Sequence, residues 1–274
     1  MYGSRDFSLE VLIISLIVCN NINYISKLGT NNKAIVFQRL LWKESIEAIK
    51  DSPRHSNYED FRKHLEESLP QNSAYTRKRY SSSILKWFFP NQKLDSLVSR
   101  VWQAYQDELL LTDIMRYQYL SSEPIIARFV VDYIIPLEPG TKLPENYIKD
   151  YIENVFKEHK KDSINYLSSA IRDLGLIKRN RSVSVIQSLP LPKTAFFILA
   201  HHIFGLQTCT ISLKEILENS FWKFLGMRME HEVKDILKMA DSKGFLAKYI
   251  IADQLEQVTT KYSFPELLEK KIKL

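Results

Sequence analysis

The chain has 274 residues, 45% of them hydrophobic and 26% charged, with only seven glycines and a formal net charge of +6. That length allows one large or two modest domains with a sizeable core. Few turn signals and long apolar stretches at helical spacing argue against an all-β or doubly wound fold and predict a mainly α protein. The charge is segregated: Thr76 to Arg100 holds six bases and one acid, Ala104 to Glu153 nine acids and four bases, and Lys157 to Arg181 seven bases and three acids. Two basic surfaces flanking an acidic one would suit a polyanion on particular faces, and a plainly solvated charge run would give the same pattern.

In chain order, Ser8 can cap a helix to about Cys19, apolar nearly all round and so expected at the centre of a bundle. The apolar run from Val11 to Cys19 is far shorter than the ~20 residues that a membrane-spanning helix needs. Asn20 to Asn32 reads as a polar break and Ala34 to Lys50 as a second helix, with Val36, Leu40, Leu41 and Ile46 inward. After a loop marked by Pro53, Tyr58 to Leu69 forms a third helix, closed by Pro70.

Ser73 starts the next helix, which Pro90 stops. Ile84, Leu85 and Phe88 give it a core face, while Arg77, Lys78, Arg79 and Lys86 set cations near Tyr75 and Tyr80. Cations interleaved with tyrosines can grip a phosphate backbone. They can equally lie as long stems on aromatic rings at a solvated helix end. Leu94 to Leu111 reads as one long amphipathic helix, with Leu109 among its core residues. Thr112 to Tyr119 and a strongly apolar Pro124 to Ile135 follow. The cluster Pro136-Leu-Glu-Pro-Gly140 is the densest set of breakers and the expected domain boundary, giving a helical bundle over 1–136.

Pro144 suits the first turn of a helix running to about His159. Ile164, Leu167, Ile171 and Leu174 then recur at spacings of three and four, leaving Asn165, Ser168, Ser169 and Arg172 on the other face. Gly175 stops that helix, and Leu176, Ile177, a tip at Lys178, Arg179, Asn180 and Arg181, and Ser182 to Leu189 read as a hairpin. Polar-faced helix followed by basic hairpin is the layout of a winged helix-turn-helix, whose helix reaches base edges while the wing touches phosphate. An ordinary helical hairpin capped by a ribbon fits the same residues. This unit is expected over 141–191.

Pro190 and Pro192 precede a third region, 192–274, that repeats the plan. Thr194 to Phe204 is helical, Ser212 with Glu215 makes a capping box for a short helix to Asn219, and Glu230 to Lys243 is a longer helix that Gly244 stops. Its inward residues would be Val233, Ile236, Leu237 and Ala240. Phe245 to Ile251 and Leu255 to Tyr262 read as two strands. Glu230, Glu232 and Asp235 crowd the helix start and Asp253 sits in the turn, a poorer polyanion surface that suits packing or a partner protein.

Catalytic signatures are missing from the sequence. No phosphate-cradling loop is present, since Gly29-Thr-Asn-Asn-Lys33 lacks the second glycine. Histidines 55, 64, 159, 201, 202 and 231 show no pairing with cysteine or carboxylate at zinc spacing, and His201 and His202 read as structural residues. Glu158-His159-Lys160 lacks a strand-borne aspartate for a nuclease site. No enzyme, metal or cofactor is therefore expected. Cys19 and Cys209 lie far apart in apolar contexts, which fits reduced, buried thiols and a cytoplasmic location.

Four stretches together resemble the BrxA family of bacterial BREX phage-defence cassettes. They are Thr76-Arg-Lys-Arg79 leading into Ile84-Leu85; Ile126-Ala-Arg-Phe-Val-Val-Asp-Tyr133; Ser168 to Ile177, ending Asp-Leu-Gly-Leu-Ile; and Pro190 to Gly226, with Leu-Pro-Leu-Pro and Phe221-Trp-Lys-Phe-Leu-Gly226. Their order, spanning most of Ser73 to Tyr262, carries the likeness more than any single motif. The resemblance implies an N-terminal helical domain likened to NusB, winged-helix elements, and DNA binding without catalysis. The resulting expectation is a double-stranded DNA-binding accessory protein that acts alongside other BREX subunits and has no membrane segment. The alternative is a protein-interaction scaffold without direct DNA contact.

Overall fold

The computed structural model describes residues 38–155, 162–180, 183–205, 207–252 and 255–274. It is mainly helical, with two small antiparallel sheets, and packing divides it into two compact units that part between Pro190 and Leu191. The breaker cluster at 136–140 lies inside the first unit. The helix expected over Ser8 to Cys19 lies outside the described residues.

The first unit begins with α1 (Trp42–Asp51), preceded by Leu40 and Leu41, which are buried as expected but non-helical. A 3-10 turn (Ser52–Arg54) leads to α2 (Tyr58–Ser68), whose first turn is capped by Asn57 accepting from the Asp60 N–H. Next, α3 (Ala74–Phe88) starts where Ser73 accepts from the Thr76 N–H. The single helix expected over Leu94 to Leu111 is two: α4 (Leu97–Tyr105) and α5 (Glu108–Ser122). Gln106 between them is left-handed at φ 49°, and the Asp107 side chain accepts from both Leu109 and Leu110 N–H groups. A carboxylate satisfying two otherwise unpaired donors defines a new helix start, which offsets the cost of a left-handed non-glycine residue. Leu109, expected in the core, is consequently 82% exposed.

α3 packs on α1, α2 and α5, and α4 packs on α1 and α5. The Trp87 and Tyr119 rings meet edge to face at 5.2 Å, and Phe61 meets Phe89 at 4.9 Å. All four are essentially inaccessible to solvent. Each such aromatic removes 150–250 Å² from water, so this cluster dominates the stability of the bundle.

α6 (Pro124–Phe129) continues through a π turn (Val130–Ile134). A short strand β1 (Lys142–Leu143), α7 (Tyr147–Val155), α8 (Asp162–Asp173), β2 (Ile177–Asn180) and β3 (Val183–Ile186) complete the unit. The sheet runs in the order β1-β3-β2. Phe129, Tyr133 and Tyr151 pack at centroid distances of 4.6 to 5.7 Å, and the Tyr147 hydroxyl donates to the Tyr133 carbonyl, fixing α7 against the π turn.

The second unit is built on α9 (Lys193–Phe204), apolar on almost every face and buried from Ala195 to His201. Around it come β4 (Thr210–Ser212), α10 (Leu213–Glu218), α11 (Phe221–Phe224), α12 (Glu230–Ser242), β5 (Leu246–Ala252), β6 (Leu255–Thr260) and α13 (Phe264–Glu269). The capping box expected at Ser212 and Glu215 is present, and Ser263 with Glu266 forms another on α13. Val233, Ile236, Leu237 and Ala240 face inward as the periodicity requires. The sheet order is β4-β6-β5. Apart from the extra four-residue helix α11 of the second, both units share one plan: helix, short strand, helix, longer helix, two strands, with the last strand central.

No helix among the described residues is long and apolar enough to cross a membrane.

Candidate nucleic-acid interface

The predicted contact residues fall on two separate sets of elements. Asn165, Ser168, Ser169 and Arg172 lie on α8, and Lys178 and Arg179 follow on β2, which packs directly on α8. Arg77, Lys78, Arg79 and Lys86 lie on α3, which packs on α1, α2 and α5 instead.

α8 buries Ser163, Leu167, Ala170 and Ile171. Its opposite side exposes Asn165 and Arg172, with Ser168 and Ser169 half-buried. Ser169 donates to Asp173 at 3.3 Å, and burial pushes the Asp173 carboxyl above its ordinary range, against the lowering by Ser169 and Arg172. Two acids at the ends, Asp162 and Asp173, against one arginine leave α8 itself without net positive charge. The net positive charge of this surface therefore comes from Lys178 and Arg179 on β2.

The end of α8 is closed by two backbone bonds, Gly175 N–H to the Arg172 carbonyl and Leu176 N–H to the Ile171 carbonyl, with Gly175 at φ 76°. These are the paired bonds of a Schellman stop, and they turn the chain straight into β2. The remaining carbonyl of Leu174 accepts from Arg116 Nε on α5 at 2.8 Å, while Arg116 Nη1 donates to Asp113 at 2.8 Å. Arg116 is only 4% exposed, so the base of the α8–β2 corner is fixed to the bundle by a buried guanidinium.

One detail of the hairpin differs from expectation. Lys178, Arg179 and Asn180 belong to the paired strand, opposite Val185, Ser184 and Val183, rather than to the tip. Read by sequence, the strand ends at Ile177 because the polar run from Lys178 to Arg181 looks like a turn, yet an exposed ribbon edge tolerates such residues. Lys178 and Arg179 are exposed. Arg181 lies outside the described residues, as does Glu158-His159-Lys160.

On α3 the four cations divide. Arg77 turns back to the carbonyls of Glu66, Gln71 and Asn72 at 2.8 to 3.2 Å, which closes the α2–α3 turn. Lys86 pairs at 2.6 Å with Glu123, whose carboxylate also accepts from the Trp87 indole at 2.7 Å. Lys78 and Arg79 remain exposed beside Tyr75 and Ser82, with the Arg79 guanidinium 5.3 Å from the Tyr80 ring centroid. Two of the four predicted cations are thus committed to holding the bundle. No local sequence pattern signals that, because their acceptors come from other turns.

The chain matches no protein-family model, no curated protein and no solved structure. The geometry and the sequence carry the functional argument alone.

In the second unit the surface equivalent to α8 differs in chemistry. α12 exposes Glu230, His231, Asp235, Lys238 and Asp241, and Lys234 pairs with Glu256 on β6 at 3.0 Å. Exposed apolar residues flank it: Met229 at 58% and Ile251 at 56%. Cys209, half-buried, donates its thiol to the Phe204 carbonyl, and burial pushes that thiol upward, away from thiolate reactivity. His201 is buried and donates from Nδ1 to the Phe197 carbonyl at 2.8 Å, the structural role expected of it.

The histidine reading needs one correction. Asp51, His55 and His64 converge: Asp51 and His55 stand four residues apart, a helical pairing distance, and His64 joins them from another helix. Asp51 closes α1, His55 follows the 3-10 turn, and His64 comes from α2, so only the folded-back α1–α2 turn unites them.

Proposed function

We propose that the chain is a non-enzymatic double-stranded DNA-binding accessory protein of a BREX-type phage-defence system, contacting DNA through α8 and β2. The observation that carries this reading is the α8–β2 corner. A helix with an exposed Asn165 and Arg172 turns at Gly175 into a strand bearing exposed Lys178 and Arg179. Helix, strand, helix, helix, strand, strand with sheet order β1-β3-β2 is the plan of a winged helix, in which the third helix and the ribbon meet DNA together. The excess of bases between Lys157 and Arg181 and the family resemblance of four ordered motifs support the same reading. Lys78 and Arg79, exposed on α3, would offer phosphate a second, separate set of cations.

Binding through exposed cations makes affinity steeply salt-dependent, with a slope of log affinity against log salt near −0.9 per phosphate neutralised. Replacing Lys178, Arg179 and Arg181 together by alanine should make that slope shallower by about 2.7 in anisotropy titrations on plain duplex, and Lys248→Ala on β5 should leave it unchanged. A parent protein with a flat salt response, or a triple variant that binds like the parent while Lys248→Ala weakens binding, would overturn this assignment.

A second reading is favoured by Met229 and Ile251, which expose apolar surface beside the acidic α12: the second unit holds a partner protein, as a scaffold would. No binding of the full chain to duplex DNA at low salt would leave that reading alone.

A further inference from the structure

We propose that Asp51, His55 and His64 form a binding site for a divalent transition cation of the zinc class, independent of the α8–β2 surface. His55 Nε2 lies 2.9 Å and His64 Nε2 3.2 Å from the same oxygen, Asp51 Oδ2. The three potential ligand atoms all fall within 4.8 Å of one another. A tetrahedral ion with bonds of about 2.0–2.1 Å spaces its ligand atoms roughly 3.3 Å apart. Two of the three edges are already within a few tenths of an ångström of that spacing and the third is within 4.8 Å, so an ion would displace the proton between His55 and Asp51 and draw the side chains together.

The surroundings hold the ligands in place. The His55 ring packs 5.3 Å from the fully buried Phe61 ring and 4.9 Å from His64, and its side chain is 17% exposed. Asp51 Oδ1 accepts from Arg54 at 3.2 Å, which orients the carboxylate and leaves Oδ2 toward the imidazoles. Ser52, between the two, is buried and bonded to the Ile49 carbonyl and to Ser99, fixing the turn that connects Asp51 to His55. Partners of this kind, which orient a ligand without touching the ion, are what metal sites depend on.

The donor set names the class of ion. Two imidazole nitrogens and one carboxylate favour zinc, cobalt or nickel, whereas magnesium and calcium require mainly oxygen ligands. His64 is half-exposed, and with Asp51 it lines an open cleft of ≈ 1160 Å³ bounded also by Lys43, Glu47 and Trp102. Water can therefore take the fourth position. The ion would tie the end of α1 to the middle of α2 across their connecting turn.

The test uses the full-length protein, stripped with a chelator and titrated with Co²⁺ and then Zn²⁺. One equivalent of Co²⁺ should give the visible bands of a four- or five-coordinate site, and Zn²⁺ should displace it and raise the melting temperature. Millimolar Mg²⁺ should not compete. His64→Ala, which removes a half-exposed side chain, should keep the apo fold by circular dichroism. It should lose affinity at least about 100-fold, the upper end of what losing a mere supporting partner costs. Asp51→Asn, near-isosteric, should do the same, and His231→Ala on α12 should bind like the parent. The proposal fails if the parent binds neither ion at micromolar concentration, if both site variants bind as well as the parent, or if Mg²⁺ competes.

Discussion

The two strand-bearing modules, 142–186 and 210–260, share sheet order, the bonds that stop their longest helix and, apart from the extra short helix α11 in the second, element order. In the first, Gly175 and Leu176 N–H groups bond the carbonyls of Arg172 and Ile171. In the second, Gly244 and Phe245 bond those of Asp241 and Ala240. What differs is what covers them. The first carries nine bases against six acids, and the second seven against eight. The first has its helix end held by buried Arg116; at the second, exposed Lys261 donates to the Gly244 carbonyl at 2.8 Å. One backbone plan thus supports two surfaces, and in the reading proposed above only the first is suited to a polyanion. Shared topology says how a helix is presented, and the side chains say to what.

The anchors give the largest expected difference. Arg116→Ala removes both the partner of the Leu174 carbonyl and the counter-charge of Asp113, whose carboxyl burial already pushes above its ordinary range against the pull of Arg116. Breaking a buried pair from one side costs about 3–5 kcal/mol, and Asp113, partly open to solvent, sets the expectation near ~3 kcal/mol in urea unfolding of the first unit. Lys261→Ala, which removes the donor to a carbonyl one residue further along the second stop, should stay within ~0.5 kcal/mol, as exposed changes do. Equal losses would mean that the two helix ends are held alike and that burial of the anchor carries no weight.

Acid separates the units next. Among the described residues the second unit alone contains a fully buried histidine, His201, and burial pulls its pKa from 6.5 to about 4 while the bond to the Phe197 carbonyl opposes that shift. Its Nε2 has no hydrogen-bond partner, so the neutral form with the proton on Nδ1 is the one the fold accepts. The unfolded chain then takes up a proton that the folded chain refuses. The His201 contribution is complete above pH 6.5, falls as pH drops, and levels off below about pH 4, a loss of about 3 kcal/mol. His201→Leu should flatten that part of the pH profile. An unchanged acid limb in the variant would place the sensitivity elsewhere.

The elements legible in the sequence are those whose signals are local. Ser73, the Ser212–Glu215 capping box, the four inward residues of α12 and both glycine stops are fixed by neighbours within four residues, and the structure has them where the periodicity put them. β1 and β4 were invisible because strands of two and three residues have no alternation to read; they exist through bonds to β3 and β6. The α4–α5 break carries no breaker residue, since Gln106-Asp107 contains no glycine or proline, although Asp107 followed by Glu108 is itself a helix-start signature. The same locality limited the candidate sites. The α8 face is readable from its spacing, whereas the inward turn of Arg77 and the arrival of His64 beside Asp51 and His55 depend on chain segments that sequence spacing does not relate.

The smallest expected effect is the sharpest test of whether the two modules share their helix stops. Gly175 and Gly244 have φ of 76° and 69°, where a side chain crowds the following carbonyl and costs about 1–2 kcal/mol. An added Cβ at Gly244 meets nothing within 4 Å, and at Gly175 it meets only Leu189 at 3.7 Å and Arg116 at 4.0 Å, ordinary contact distances. Packing therefore adds nothing at either place, and the backbone term alone remains. Gly175→Ala and Gly244→Ala should each lose about 1 kcal/mol, equal within a few tenths, when each unit's unfolding is followed separately by hydrogen exchange. A clearly larger loss at Gly175 would show that the α8–β2 corner stands closer to its neighbours than those distances allow. A loss at Gly244 alone would mean that the α8 stop relaxes in solution, and that the presentation of Lys178 and Arg179 beside α8 is not held as the second module holds its own strand.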